Sequence, residues 1–74
     1  MIRIRLREQL EKKRLAERRR ITLNEVAKKA GISRTTLNRV ANIPGYNTNT
    51  NTIEALCNYF ECEIDDLVER IEVE

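Results

Sequence analysis

Residues 33–42 concentrate side chains that donate and accept hydrogen bonds. Guanidinium, amide and hydroxyl groups are carried by Ser33, Arg34, Thr35, Thr36, Asn38 and Arg39, and the segment contains no acid. At about 100° per residue on a helix, most of these groups point away from the apolar Leu37 and Val40. Such a row suits the major groove of DNA, where Arg pairs bidentately with guanine, Asn pairs with adenine, and a Thr methyl touches thymine.

Local signals predict the helices that would position this row. Thr22 and Glu25 form a capping box, so a helix begins there and runs to Ala30. Gly31 is the residue best able to adopt the left-handed conformation of a tight exit. Ser33 then caps the next helix, which extends to about Asn42. Two short helices joined by so tight a turn must cross steeply.

The segment from Leu23 to Asn42 resembles the helix-turn-helix of the phage-repressor and Cro-like (XRE) family of bacterial DNA-binding proteins. Each matching position has a physical role: a small residue at the helix crossing, the turn glycine, a core plug, a cap and two core anchors. These are Ala27, Gly31, Ile32, Ser33, Leu37 and Val40. The resemblance extends to the first helix, the polar loop after residue 42, and residues 52–56 and 66–67. Two positions depart from it: Leu23 replaces a frequent phosphate-binding Gln, and Glu63 replaces a better helix cap.

The resemblance implies which residues contact DNA. We expect Arg34, Thr35 and Asn38 to contact base edges, and Ser33, Thr36 and Arg39 to contact bases or phosphates. The end of the first helix and the loop after the third lie against the DNA backbone in this family. They nominate Arg19, Arg20, Asn42, Tyr46, Asn47 and Thr48 for phosphate contacts. Arg18, Lys28 and Lys29 are as well explained as solvated charges.

The charge of the chain is divided unevenly along its length. Residues 1–40 contain thirteen Lys or Arg and four Glu, a net charge of +9, whereas residues 41–74 contain one Arg and eight acids, a net charge of −7. Clustered Lys and Arg neutralise phosphates and release counterions, so the basic half indicates an anionic polymer as partner. A solvated helix face is the alternative that charge alone leaves open.

The remaining pattern predicts an all-α, compact five-helix domain covering residues 1–74. The first helix spans residues 6–19 and leaves Leu15 on the side away from Leu6 and Leu10. Asn51 and Glu54 resemble a cap that opens a fourth helix through Phe60, with Cys57 in its packed face. A fifth helix over residues 64–69 would bury Ile64, Leu67 and Val68. Alternation in Ile2-Arg3-Ile4-Arg5 and in Ile71-Glu72-Val73-Glu74 favours a small antiparallel strand pair, with Arg3 and Arg5 facing acids.

Composition excludes several classes of function. The chain has 74 residues, no His and two Cys, so it lacks a Ser-His or Cys-His nucleophile pair and a zinc site of Cys and His ligands. We expect no enzymatic activity, no cofactor, no metal and no small-molecule ligand. No apolar run is long enough to cross a membrane or to form a signal peptide, so we expect a cytoplasmic protein whose Cys57 and Cys62 stay reduced.

The function expected from the resemblance is sequence-specific binding of double-stranded DNA by a bacterial or phage-type transcriptional regulator, a repressor. A homodimer, formed either before or on the DNA, would bind a pseudo-palindrome. The alternative is a protein-interaction module, such as an antitoxin-like partner using the acidic residues 61–74. The two hypotheses differ in the docking place of the partner, which is the third helix in the first and residues 61–74 in the second. RNA binding is a weaker hypothesis, because the chain has few aromatic side chains on which bases could stack.

Overall fold

The computed structural model describes residues 1–72 and confirms five helices with a small antiparallel sheet. The helices are short and follow one another through tight connections, and the sheet joins the two ends of the described chain. In chain order the elements are β1 (Ile2–Ile4), α1 (Leu6–Glu17), α2 (Leu23–Ala30), α3 (Arg34–Asn42), α4 (Thr50–Phe60), α5 (Ile64–Leu67) and β2 (Val68–Arg70).

One hydrophobic core draws residues from every helix. Its buried members are Leu6, Leu10, Ile21, Val26, Ala27, Leu37, Val40, Leu56 and Leu67. The predicted anchors of α3 are confirmed, because Leu37 is fully buried and Val40 nearly so. Ile32 is half-buried and packs against the same core, as the plug beneath the turn. The face of α3 opposite these anchors is therefore left for solvent.

The predicted strand pair exists, but β2 lies earlier in the chain than the alternation of Ile71 and Val73 suggested. Ile2 pairs with Arg70, and Ile4 pairs with Val68. The pairing therefore ends α5 at Leu67, two residues before the predicted end. Val73 lies outside the described residues.

Arg3 and Arg5 face an acid, as expected, but the acid is Glu69 and not one of those that alternate with Ile71 and Val73. Arg3 Nε lies 3.5 Å from Glu69, and Arg5 Nη1 lies 3.6 Å from the same carboxylate. Glu69 is directly opposite Arg3 in the strand register, which brings the two side chains to one face of the sheet.

Two further boundaries and the burial of one residue differ from the prediction. The fourth helix is capped by Asn49, whose side chain accepts from the Thr52 amide at 2.8 Å, and not by Asn51. Ile64 is 63% exposed, because α5 is a single turn that buries only Leu67. The first helix ends at Glu17, where Arg18 adopts a left-handed conformation. Within residues 1–72, none of the helices has the length and apolar character needed to cross a membrane.

Gly31 closes α2 in the left-handed conformation, with φ at 72°. A Cβ at this position would meet no atom within 4 Å, so only the backbone resists substitution. We therefore expect Gly31→Val to lower the free energy of unfolding by about 1–3 kcal/mol. Gly31→Asn should lower it less, because Asn tolerates positive φ. Urea unfolding measures both, and equal stability of Gly31→Val and the wild type would contradict the assignment of this turn.

Candidate nucleic-acid interface

Side-chain caps and a glycine turn fix the position of α3 relative to α2. The Thr22 hydroxyl accepts from the Glu25 amide at 3.2 Å, which begins α2. The other half of the predicted capping box is wrong, because the Glu25 carboxylate accepts from Arg19 instead of from the Thr22 amide. At the other end of α2, the Gly31 and Ile32 amides both donate to the Ala27 carbonyl. The Ser33 hydroxyl accepts from the Thr36 amide at 3.1 Å and begins α3. The predicted helix-turn-helix boundaries are therefore present, and each has a local hydrogen-bonding cause.

The outward face of α3 is polar and accessible. Arg34, Thr35 and Arg39 are exposed, while Thr36 and Asn38 are half-buried. Neither arginine of α3 forms an ion pair with any carboxylate of residues 1–72, and no acid occurs within the helix. The structure therefore leaves Arg34, Thr35 and Arg39 uncovered and Asn38 partly accessible, as the predicted role in base contact requires.

Two hydrogen bonds connect neighbouring side chains of the row. Arg34 Nε donates to Asn38 Oδ1 at 3.4 Å, which places a guanidinium and an amide one helical turn apart. This long, exposed contact is weak and can be exchanged for bonds to a partner. The Ser33 hydroxyl instead both accepts from the Thr36 amide and donates to the Thr36 hydroxyl at 2.8 Å. Ser33 is thus engaged in capping, whereas Arg34 and Asn38 are free to bind.

In the basic segment between α1 and α2, Arg19 is held by carboxylates and its neighbour Arg20 is accessible. Arg19 donates to Glu25 through two nitrogens, at 3.0 and 2.7 Å, and to Glu17 at 2.9 Å. These bonds hold the pKa of the Glu25 carboxyl below its ordinary value and raise the pKa of Arg19. Arg20 is exposed and has no such partner among the described acids. Arg20 therefore has more freedom than Arg19 to contact a phosphate.

The loop of residues 43–49 presents a mixture of exposed and packed groups. Asn42, just before it, accepts a hydrogen bond from Arg7 of α1. Tyr46 is half-buried against the core, and Thr48 is also half-buried, while Asn47 is exposed. The Met1 side chain lies close to this loop, since a Cβ at Gly45 would lie only 2.9 Å from Met1 Cγ.

The sequence patterns do not identify Arg14 and Arg7, which hold neighbouring parts of the candidate interface in place. The Arg14 guanidinium donates from Nε and Nη2 to the Ile21 carbonyl, at 3.0 and 2.7 Å. This bidentate contact holds the segment that carries Arg19 and Arg20. Arg7 of α1 donates a hydrogen bond to Asn42 at the end of α3. Neither contact has a local signature, since each joins residues brought together by the fold.

Comparison with known proteins agrees with this geometry. Residues 12–72 match a family model described as a Cro/C1-type HTH (helix-turn-helix) DNA-binding domain. The matched range includes α2, α3, the loop after α3 and α4. No curated protein matches the chain.

Proposed function

Because the chain belongs to the Cro/C1-type helix-turn-helix DNA-binding family, we propose that it is a sequence-specific transcriptional regulator whose α3 lies in the major groove. The observation that carries the proposal is the uncovered, acid-free row of α3. A groove about 12 Å wide admits one α-helix, and the base edges on its floor are distinguished by hydrogen-bond donors and acceptors. The row presents both kinds of group.

Base reading is proposed for the middle of the row. Arg34 has the fork geometry for guanine O6 and N7, and Asn38 has the amide for adenine N6 and N7. Their mutual 3.4 Å contact places the two groups side by side on the surface of α3. Thr35, exposed beside Arg34, offers a methyl to thymine. Thr36 and Arg39 are proposed as further base or phosphate contacts, and Ser33 contributes mainly by capping the helix.

Backbone contacts are proposed on both sides of α3. Arg20 and Arg19 provide positive charge before α2, and the polar groups after α3 provide hydrogen-bond donors. The latter are Asn42, Tyr46, Asn47 and Thr48. Phosphate contacts of this kind fix the register of a reading helix without specifying sequence. The restraint of Arg19 by two carboxylates supports Arg20 as the stronger contact.

Repression is the proposed outcome, through a homodimer on a pseudo-palindromic site. One reading helix covers about half of a site, so two copies related by a two-fold axis read two half-sites one helical turn apart. Occupation of the groove excludes other proteins from the same base pairs. The acidic second half of the chain disfavours approach to DNA from the wrong side.

Salt dependence tests the backbone contacts. We expect Arg20→Ala to reduce the slope of log affinity against log salt by about 0.9, the value for one lost phosphate contact. Arg19→Ala should reduce it less, because Glu17 and Glu25 already hold that guanidinium. Fluorescence anisotropy with a random-sequence duplex, between about 50 and 200 mM salt, gives the slopes.

Lys29→Ala is the matched control for this experiment. Lys29 is an exposed cation of α2, 3.8 Å from Glu25, and we assign it no phosphate contact. Its replacement should leave the slope close to that of the wild type. Equal slopes for Arg20→Ala and Lys29→Ala would remove Arg20 from the interface, and binding that is insensitive to salt would refute the proposed DNA contact as a whole.

A further inference from the structure

An open apolar groove of about 760 Å³ lies between β1, the loop after α3, α4 and the start of α5. We call it the terminal groove. Its floor is formed by half-buried apolar side chains, namely Ile4, Ile53, Cys57, Cys62 and Val68. Its edges are formed by Ile2, which is 52% exposed, and Ile64, which is 63% exposed.

Exposed apolar side chains are contiguous around the terminal groove. Single exposed hydrophobic residues are common, but contiguous patches bordered by polar groups mark interaction sites. Met1, 48% exposed, extends the patch, because its side chain lies against Gly45 at the border of the groove. The surface thus has the composition of an interface centre.

Two carboxylates border the terminal groove, and one arginine lies beside its Ile2 edge. Glu54 and Glu63 line it. Arg70 is directly opposite Ile2 in the strand register, so both side chains leave the same face of the sheet. Arg70 is exposed and forms no ion pair with the acids of residues 1–72. A second copy turned about a two-fold axis carries the same arginine and the same acidic border, so opposite charges are available on the two sides of a self-contact.

The terminal groove adjoins the proposed DNA interface. None of its lining residues belongs to α3, so an occupant leaves the reading row open. The loop after α3 contributes Gly45, Tyr46, Asn47 and Thr48 to the groove. Because the last three are also proposed phosphate contacts, a second copy in the groove has to leave their polar groups accessible to the DNA backbone. A two-fold axis at this edge would therefore place the two loops near each other, with one α3 on each side.

We propose that the terminal groove is the self-association surface of the protein, occupied by a second copy. Ile2 and Ile64 of each copy pack against the groove of the other, and Arg70 of each faces the acidic border around Glu63. This inference rests on the proposed function, since two copies on a pseudo-palindrome require a two-fold contact. It adds the surface and the residues that form it.

Sedimentation equilibrium of the full chain without DNA tests the surface. We expect a monomer–dimer equilibrium that Ile64→Glu weakens by at least about tenfold, because the substitution places a carboxylate among the apolar side chains that the contact buries. Leu15→Glu is the matched control, since Leu15 is 77% exposed on α1 and does not line the groove. It should dimerise as the wild type does. Circular dichroism confirms that both variants are folded.

A charge exchange tests the orientation of the two copies. Arg70→Glu and Glu63→Arg should each weaken the dimer, and the double variant should regain a large part of the lost affinity. A wild type that stays monomeric up to about 1 mM, both alone and on a palindromic duplex, would overturn the inference. Unchanged dimerisation of both Ile64→Glu and Arg70→Glu would do the same.

Failure of the DNA proposal remains distinguishable from failure of this surface. A protein that dimerises through the terminal groove but binds no duplex keeps the surface and loses the proposed function. A monomer that binds a half-site duplex keeps the proposed function and loses the surface.

Discussion

Arg34→Ala should weaken binding to the preferred duplex by about 1–3 kcal/mol, roughly 5- to 150-fold, and should relax the preference at one base position. The physical reason is that the exposed Arg34 guanidinium forms no ion pair with a carboxylate of residues 1–72 and can donate two parallel bonds to guanine. Competition of single-base variants of the duplex, measured by anisotropy, locates the position that is affected.

Arg18→Ala provides a control of equal charge change. Arg18 is an exposed arginine at the end of α1, outside the reading row. Its loss should alter affinity little and leave the order of preferred sequences unchanged. If Arg34→Ala instead weakens all duplexes equally, Arg34 contacts a phosphate, and α3 does not read a base at this position.

Leu37→Ala should have the largest effect on stability. Leu37 is fully buried and attaches α3 to the core, and truncation of a buried leucine costs about 2–5 kcal/mol. A domain of this size has a total free energy of unfolding on the order of 5–10 kcal/mol. Urea unfolding should therefore show a marginal or unfolded domain, and DNA binding should be lost with the position of α3.

Thr35→Ala is the control for this stability change. Thr35 lies on the exposed face of the same helix, and surface substitutions usually change stability by less than about 0.5 kcal/mol. Thr35→Ala should therefore stay folded while it loses a proposed base contact. If Leu37→Ala is as stable as Thr35→Ala, α3 is not anchored as the structure shows.

The boundaries of α2 and α3 were predictable because their causes are local. Thr22, Gly31 and Ser33 act within three or four residues of themselves, through caps and one left-handed residue. The acid-free face of α3 was equally predictable, since helical periodicity separates it from Leu37 and Val40. These features require no knowledge of the rest of the chain.

The boundaries that were wrong depend on distant contacts. Residues 47–52 alternate Asn and Thr, so several residues offer a similar cap. Burial of Thr52 selects Asn49 over Asn51. The end of α5 was misplaced because Val68 pairs with Ile4, a contact across almost the whole chain.

The accessibility of individual site residues was also hidden from the sequence. Arg19 and Arg20 are adjacent and identical in type, yet the fold gives Arg19 two carboxylates and leaves Arg20 open. Arg14 has no distinguishing spacing, but its contact with the Ile21 carbonyl positions both. Residue types thus predict where the proposed interface lies, while the tertiary structure shows which of its residues are accessible.

Selection from a pool of random duplexes tests most directly whether α3 reads sequence. We expect enrichment of a pseudo-palindrome whose half-site centres are about 34–36 Å apart, or a multiple of that spacing. Selection with Arg34→Ala should lose one conserved position in each half-site and keep the others. A pool that stays random after repeated selection at moderate salt, despite retained binding, would show that the protein contacts only the DNA backbone and would contradict sequence reading by α3.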